Sequence, residues 1–226
     1  FLDYFATGKL NSNTFSEVIS GMTKACREND CVLIAGETAE MPGFYNEGDY
    51  DLSGTIVGVV DKKNMLSERR TKKGDYLIGL ESSGLHTNGY SLARKVLLDK
   101  YSVHDYVESI DNTISNSLLA IHKSYLNIIS PILNESWLHG ISHVTGGGII
   151  ENTERIINSK DQVIKIDWSS WEYPSIFNLI QQSGSVPTED MRRSFNLGIG
   201  MILVVDKNSL NLAENHLKGI DEPYYL

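Results

Sequence analysis

The chain has 226 residues, 41% of them hydrophobic and 22% charged, with a formal net charge of −9. That is an ordinary globular composition, long enough for one large domain or two small ones. The acidic balance argues against a nucleic-acid binder, yet backbone N–H groups can still hold a small phosphorylated substrate inside an acidic protein.

In chain order, Phe1-Leu2-Asp3-Tyr4-Phe5 reads as a strand already under way, as in a piece of a longer protein. Thr14-x-x-Glu17 has the form of a capping box. Phe15, Val18, Ile19, Met22, Ala25 and Cys26 then keep helical spacing, which predicts a helix from about Thr14 to Glu28. Cys26 and Cys31 fit neither a CxxC metal knuckle nor a redox pair, and read as buried free thiols of a reducing cytosol.

Cys31 to Ala35 reads as a buried strand running into the loop Gly36-Glu37-Thr38-Ala39-Glu40-Met41-Pro42-Gly43. A carboxylate just after a buried strand is a common place for a magnesium ligand; solvated loop acids are the plain alternative. Asp51 to Val60 predicts a strand that is apolar on both faces, and such a strand needs cover on both. Asp61 to Asp75 is rich in charge, including Lys62, Lys63, Glu68, Arg69, Arg70, Lys72 and Lys73. It reads as a solvated linker, dividing a first domain, 1–70, from a second, 71–226.

The second domain begins with an apolar strand, Tyr76 to Leu80, and the polar loop Ser82-Ser83-Gly84-Leu85-His86-Thr87-Asn88-Gly89. A helix follows from near Tyr90. Strand, tight loop and helix together aim side chains and free N–H groups at a ligand. His86 and Asn88 carry the loop's well-directed donors and acceptors. The bland alternative is an ordinary loop with Asn88 as helix N-cap.

Tyr101 to Thr113 is poorly patterned and reads as a surface excursion. Leu118, Ile121, Tyr125, Ile128 and Ile129 mark another helix. Ile141 to Val144 predicts a short strand, then Thr145-Gly146-Gly147-Gly148 and a helix carrying Ile149, Ile150, Ile156 and Ile157. Three consecutive glycines cost backbone entropy that a simple turn does not require. They suit an anion held by successive N–H groups at a helix start.

Ile164 to Trp168 predicts a strand, Pro174 to Gln182 a helix, Leu197 to Val205 a central strand and Leu210 to Leu217 a last helix. The longest apolar run, Leu197 to Val205, is too short to span a bilayer, and the N-terminus lacks a signal-peptide pattern. No membrane partner and a cytoplasmic location are the expectations.

Three loops, 36–43, 82–92 and 145–148, occur in an order that resembles the phosphoribosylformylglycinamidine cyclo-ligase family, also called aminoimidazole ribonucleotide synthetase. The opening Phe1 to Leu10 and the late Ser194-Phe195-Asn196-Leu197-Gly198-Ile199-Gly200-Met201 look like that family too. The resemblance implies an α/β (α+β) fold of two domains. The first contributes strands to a β-barrel shared in a homodimer. The second is a mixed sheet covered by helices.

It also implies ATP-dependent closure of formylglycinamidine ribonucleotide to aminoimidazole ribonucleotide, with ATP and Mg2+ bound. By position, Glu37 and Thr38 would serve Mg–ATP, with Glu37 on the metal. His86 and Asn88 would face the reacting substrate, and Thr145, Gly146, Gly147 and Gly148 would hold its phosphate. The family's glycine-rich and Asp-bearing ATP segments would precede Phe1, and its last strands follow Leu226.

Two positions depart from the family pattern. Ile121-His122 stands where Pro-Thr is usual, and Thr153-Glu154 where Ile-Pro is usual. Alternatives are a relative of the same architecture, such as formylglycinamidine ribonucleotide synthetase, selenophosphate synthetase or thiamine phosphate kinase, and a non-catalytic dimerising fragment. The loop Leu85-His86-Thr87-Asn88-Gly89-Tyr90 favours the cyclo-ligase over the other enzymes.

Overall fold

The computed structural model describes residues 1–66, 71–157 and 161–226. Glu68, Arg69 and Arg70 of the charged linker lie outside the described residues. The chain forms two compact units, Phe1–Lys63 and Asn64–Leu226.

In the first unit, β1 (Leu2–Thr7) runs between β2 (Ala35–Glu40) and β3 (Tyr50–Thr55). It is parallel to β2 and antiparallel to β3. α1 (Ser12–Glu28) bridges β1 to β2. Its cap is Asn11, whose side chain accepts from the N–H groups of Asn13 and Thr14. The predicted capping residue, Thr14, therefore lies inside the helix: an Asn three residues earlier satisfies the same orphan donors first. Phe5 is buried, meeting Phe15 of α1 edge-on at 5.2 Å and stacking on Tyr50 at 5.5 Å.

Two strands differ from the sequence reading. Cys31 to Ile34 is not a buried strand; pairing with β1 starts at Ala35, opposite Leu2, and runs to Glu40. Glu37 and Thr38 therefore sit in a strand rather than a loop. β3 ends at Thr55, and Ile56 to Val60 continue outside any strand. Apolar runs signal that cover exists somewhere; they do not say which residues the ladder takes. Val32, Ile34, Ile56, Val57, Val59 and Val60 are all exposed within this chain.

The second unit is built on a sheet of order β7-β8-β4-β9, with β4 (Tyr76–Glu81), β7 (Leu138–His143), β8 (Ile199–Val205) and β9 (Tyr224–Tyr225). Each pair in it is antiparallel. The mixed sheet that the resemblance implied for this domain is corrected: among the described residues its strands pair only antiparallel. The mixed pairing occurs in the first unit instead.

Ile78, Leu80, Leu203 and Val205 pack with Ile128, Ala213 and Leu217 from α4 (Leu126–Ile129) and α8 (Leu210–Gly219). A second cluster joins Leu85 to α2 (Tyr90–Leu98), α6 (Ser175–Gly184) and α7 (Thr188–Ser194) through Ala93, Leu97, Phe177, Ile180, Met191 and Phe195. Buried His139 of β7 places Nδ1 2.8 Å from Asp75 and Nε2 3.6 Å from Asp206, tying the ends of β4, β7 and β8.

Three more local expectations change. The helix predicted over 118–129 is broken into α3 (Ile114–Leu118) and α4, with an irregular stretch between them. Residues 101–113 include a small hairpin, β5 (Tyr106–Val107) with β6 (Asn112–Thr113). Ile164 to Trp168 forms no strand.

Candidate functional site

The loop after β4 is held from below by Asn196, which is almost fully buried. Its Nδ2 donates to the Gly84 carbonyl at 2.8 Å, and its Oδ1 accepts from Gly198 N–H at 2.8 Å and Ser82 Oγ at 2.9 Å. Ser83 Oγ donates to the Ile121 carbonyl, and Tyr90 Oη to the Leu118 carbonyl at 2.6 Å. One buried amide and three hydroxyls thus fix a loop whose own backbone makes few regular bonds. α2 begins after Gly89 with no side-chain cap, so Asn88 is not its N-cap.

His86 sits at φ +56, a left-handed conformation uncommon for a residue with a Cβ. Such conformations concentrate where the surroundings over-determine them, often at functional sites. The residue is 5% exposed. It stacks on His122 with centroids 3.7 Å apart, and His122 in turn meets His143 at 5.5 Å. Ser83 N–H donates to His86 Nε2 at 3.1 Å. The ring's lone pair is therefore on Nε2 and its proton on Nδ1, which is buried without a hydrogen-bond partner. Burial first, then the charges of His122, His143 and Lys123, lower the His86 pKa to about 4. Burial and His122 lower His143 as well.

The glycine loop follows β7 and opens α5 (Gly148–Glu154). Asn152, buried, clamps it: Nδ2 donates to the Gly148 carbonyl at 2.7 Å, and Oδ1 accepts from Thr145 Oγ1 at 3.0 Å. Gly147 N–H is bonded to the Arg193 carbonyl and Gly148 N–H to the Thr145 carbonyl, both at 3.1 Å. Two of the three glycine amides are therefore already occupied. A Cβ on Gly146 would lie 3.3 Å from Asn88 Oδ1, so this loop meets the His86 loop.

Within the second unit the fold thus gathers His86, Asn88, Thr145 and Gly146 in one place. It adds His122 and His143, which the sequence reading did not select. His122 could have been suspected from its departure from the family pattern, and His143 from its position two residues before Thr145. A groove of about 840 Å3, lined by residues including Leu77, Gly79, Ile166, Ile202 and Val204, contains none of these residues.

In the first unit Glu37 and Thr38 are exposed on β2, and Glu37 Oε1 accepts from Thr38 N–H at 3.0 Å. Glu40 is committed to Leu10 N–H at 2.9 Å. Glu37 keeps an oxygen for a ligand. A single carboxylate fits Mg2+, which usually takes one or two carboxylates and completes its shell with phosphate oxygens and water.

A family profile described as AIR synthase related protein, N-terminal domain, matches residues 1–60, and one described as its C-terminal domain matches 72–222. The phosphoribosylformylglycinamidine cyclo-ligase of Thermoanaerobacter sp. (strain X514) is 47% identical over the whole chain, which covers 67% of that protein. That of Desulfatibacillum aliphaticivorans is 41% identical, again over the whole chain and 65% of its own length. The chain spans about two thirds of such relatives.

Among solved structures, thiamine-monophosphate kinase from Stenotrophomonas maltophilia K279a superposes with a TM-score of 0.66 at 14% identity, over 99% of this chain and 67% of that one. Hydrogenase maturation protein HypE in complex with ATP gives 0.56 at 15%, over 98% and 60%. At these identities the likeness concerns the fold alone.

Proposed function

The chain belongs to the AIR synthase related family, and we propose that it carries out the ATP-dependent ring closure of formylglycinamidine ribonucleotide to aminoimidazole ribonucleotide in purine biosynthesis. The meeting of loops 82–89 and 145–148, in a chain 47% identical to a named cyclo-ligase, carries this reading. ATP phosphorylates the formyl amide oxygen, and the amidine nitrogen attacks that carbon. The carbon–oxygen bond breaks, phosphate departs, and a proton leaves the attacking nitrogen.

In this reading His86 and Asn88 face the reacting atoms. Thr145, Gly146, Gly147 and Gly148 hold the ribose phosphate, chiefly through the Gly146 amide, with the Thr145 hydroxyl joining it by releasing Asn152 Oδ1. Glu37 and Thr38 serve ATP, with Glu37 on Mg2+. A cytoplasmic setting is in keeping with Cys26 and Cys31 being free thiols, and among the described residues no helix is long and apolar enough to cross a membrane.

The test uses the intact protein with ATP, Mg2+ and formylglycinamidine ribonucleotide, following the aromatic amine of the product. Glu37→Gln should raise the KM for ATP roughly 10–100-fold, the span of a charge-assisted contact worth about 1.5–3 kcal/mol, without changing the fold. An unchanged KM for ATP would reduce Glu37 to a surface acid.

We also propose a homodimer through the first domain, with its strands completing a shared β-barrel. The exposed aliphatic residues at 32–34 and 56–60 support this, since contiguous apolar surface of this kind usually faces a partner. Light scattering of the intact protein at micromolar concentration should report a dimer; a monomer there ends the proposal.

A further inference from the structure

Beside His86 the candidate site contains two further histidines, His122 and His143, to which the ring closure gives no task. His86, His122 and His143 each offer a nitrogen, and these atoms lie within 4.8 Å of one another. The three come from separate segments: the loop after β4, the irregular stretch between α3 and α4, and the last residue of β7. Such convergence of imidazoles is costly to explain by packing. Neutral rings bring no mutual attraction beyond stacking.

The rings are prepared as ligands. His122 Nδ1 lies 2.9 Å from the Lys123 carbonyl, which takes the N–H and leaves the lone pair on Nε2. A backbone carbonyl behind a histidine is the usual device for orienting a metal ligand. The His86 lone pair, on Nε2, holds Ser83 N–H. An ion that takes that lone pair replaces the Ser83 N–H bond.

We propose that His86, His122 and His143 bind one zinc-class divalent ion, with water in the fourth position. Three imidazoles and an open position suit Zn2+, Cu2+ or Ni2+ and not the oxygen-seeking Mg2+ of the nucleotide. Tetrahedral bonds of about 2.0–2.1 Å set nitrogens roughly 3.4 Å apart, so the cluster must contract. His143, the exposed member, can supply most of that movement. The second histidine cluster, Asp75, His139 and Asp206, is a different case. His139 is already bonded to Asp75 at 2.8 Å and fastens the sheet.

The test reads binding, not turnover, so its failure leaves the proposed reaction untouched. Co2+ is titrated into the purified protein without substrate, then displaced with Zn2+. One equivalent with the visible d–d bands of tetrahedral Co2+ is the expected result. His122→Thr and His143→Gln should each weaken binding by more than about tenfold, at least the loss seen when a supporting residue is removed. His139→Gln should leave the bands unchanged. Circular dichroism checks each fold, and exposed His143 provides the variant if His122→Thr unfolds. Absence of the bands, or their persistence in a folded His122→Thr or His143→Gln, overturns the proposal. So does their loss in Cys31→Ser, which would assign the ion to thiols.

Discussion

Replacing His86 by alanine in the intact protein is expected to lower kcat for ring closure by roughly 10²–10⁴-fold, the span of a general acid–base or orienting group. The structure sharpens what that loss would mean. A base is most effective when its pKa lies near the working pH. His86, lowered to about 4 by burial and by His122, His143 and Lys123, is a weak base whose lone pair already holds Ser83 N–H. Orientation of the substrate is the better supported role. His86→Asn separates the two, because asparagine tolerates the left-handed backbone at φ +56. Turnover within a few-fold of wild type in His86→Asn excludes proton transfer as the main role; a loss as deep as in alanine restores it.

The same residue gives the fold a pH dependence. In the unfolded chain His86 takes a proton near pH 6.5, whereas in the fold it refuses one until about 4. Between those values the unfolded state binds more protons, so stability is full above 6.5 and falls as the pH drops toward 4. The difference, 6.5 minus about 4, corresponds to about 3 kcal/mol. Denaturant unfolding in metal-free buffer should show most of that loss between pH 6.5 and 4, and His86→Asn should remove much of it. His143, lowered in the same direction, leaves a smaller slope behind. An identical pH dependence in wild type and His86→Asn would mean that the buried ring accepts a proton freely.

The sequence revealed the elements that obey a local rule. α1 is an amphipathic stripe, and β4, β8 and α8 are apolar patterns between clear breakers, so each could be placed within a few residues. Where two local signals competed, the reading failed. Asn11 and Thr14 both suit an N-cap, and only packing decides between them. Cys31 to Ile34 is more apolar than Ala35 to Glu40, yet the register Leu2↔Ala35 gives the ladder to the latter. Helical spacing continued through Ile121-His122-Lys123, but the chain breaks there and carries His122 onto the His86 ring. That contact is tertiary, and no periodicity encodes it. His86 and Asn88 were legible because glycines and polar residues crowd a strand–helix junction. His143 left only a faint signal, its place two residues before Thr145, because a histidine at the end of a strand has no pattern of its own.

The largest expected effect on stability belongs to the glycine loop, where the two glycines at its end should behave oppositely. Both have positive φ, +96 at Gly147 and +67 at Gly148. An alanine in that region costs roughly 1–2 kcal/mol at either position. At Gly148 the added Cβ would also stand 1.8 Å from the Arg192 carbonyl oxygen, a backbone atom of α7 that cannot move alone. Overpacking of this kind adds about 1–3 kcal/mol or more, so Gly148→Ala should lose roughly 3–5 kcal/mol and lower Tm accordingly. At Gly147 the Cβ would instead meet the Glu151 carboxylate at 2.4 Å, which can swing away, and the Glu151 Cβ at 2.9 Å, which can yield only by a small shift of α5. Gly147→Ala should therefore fold with a smaller penalty than Gly148→Ala. If the loop holds the substrate phosphate, Glu151 must already move to admit a dianion, and a methyl group at Gly147 then occupies the space it vacates. The KM for formylglycinamidine ribonucleotide should rise strongly in Gly147→Ala while the KM for ATP stays near wild type. Should both constants remain unchanged in a folded Gly147→Ala, the glycines serve only the close packing of α5 on α7, and the phosphate lies elsewhere.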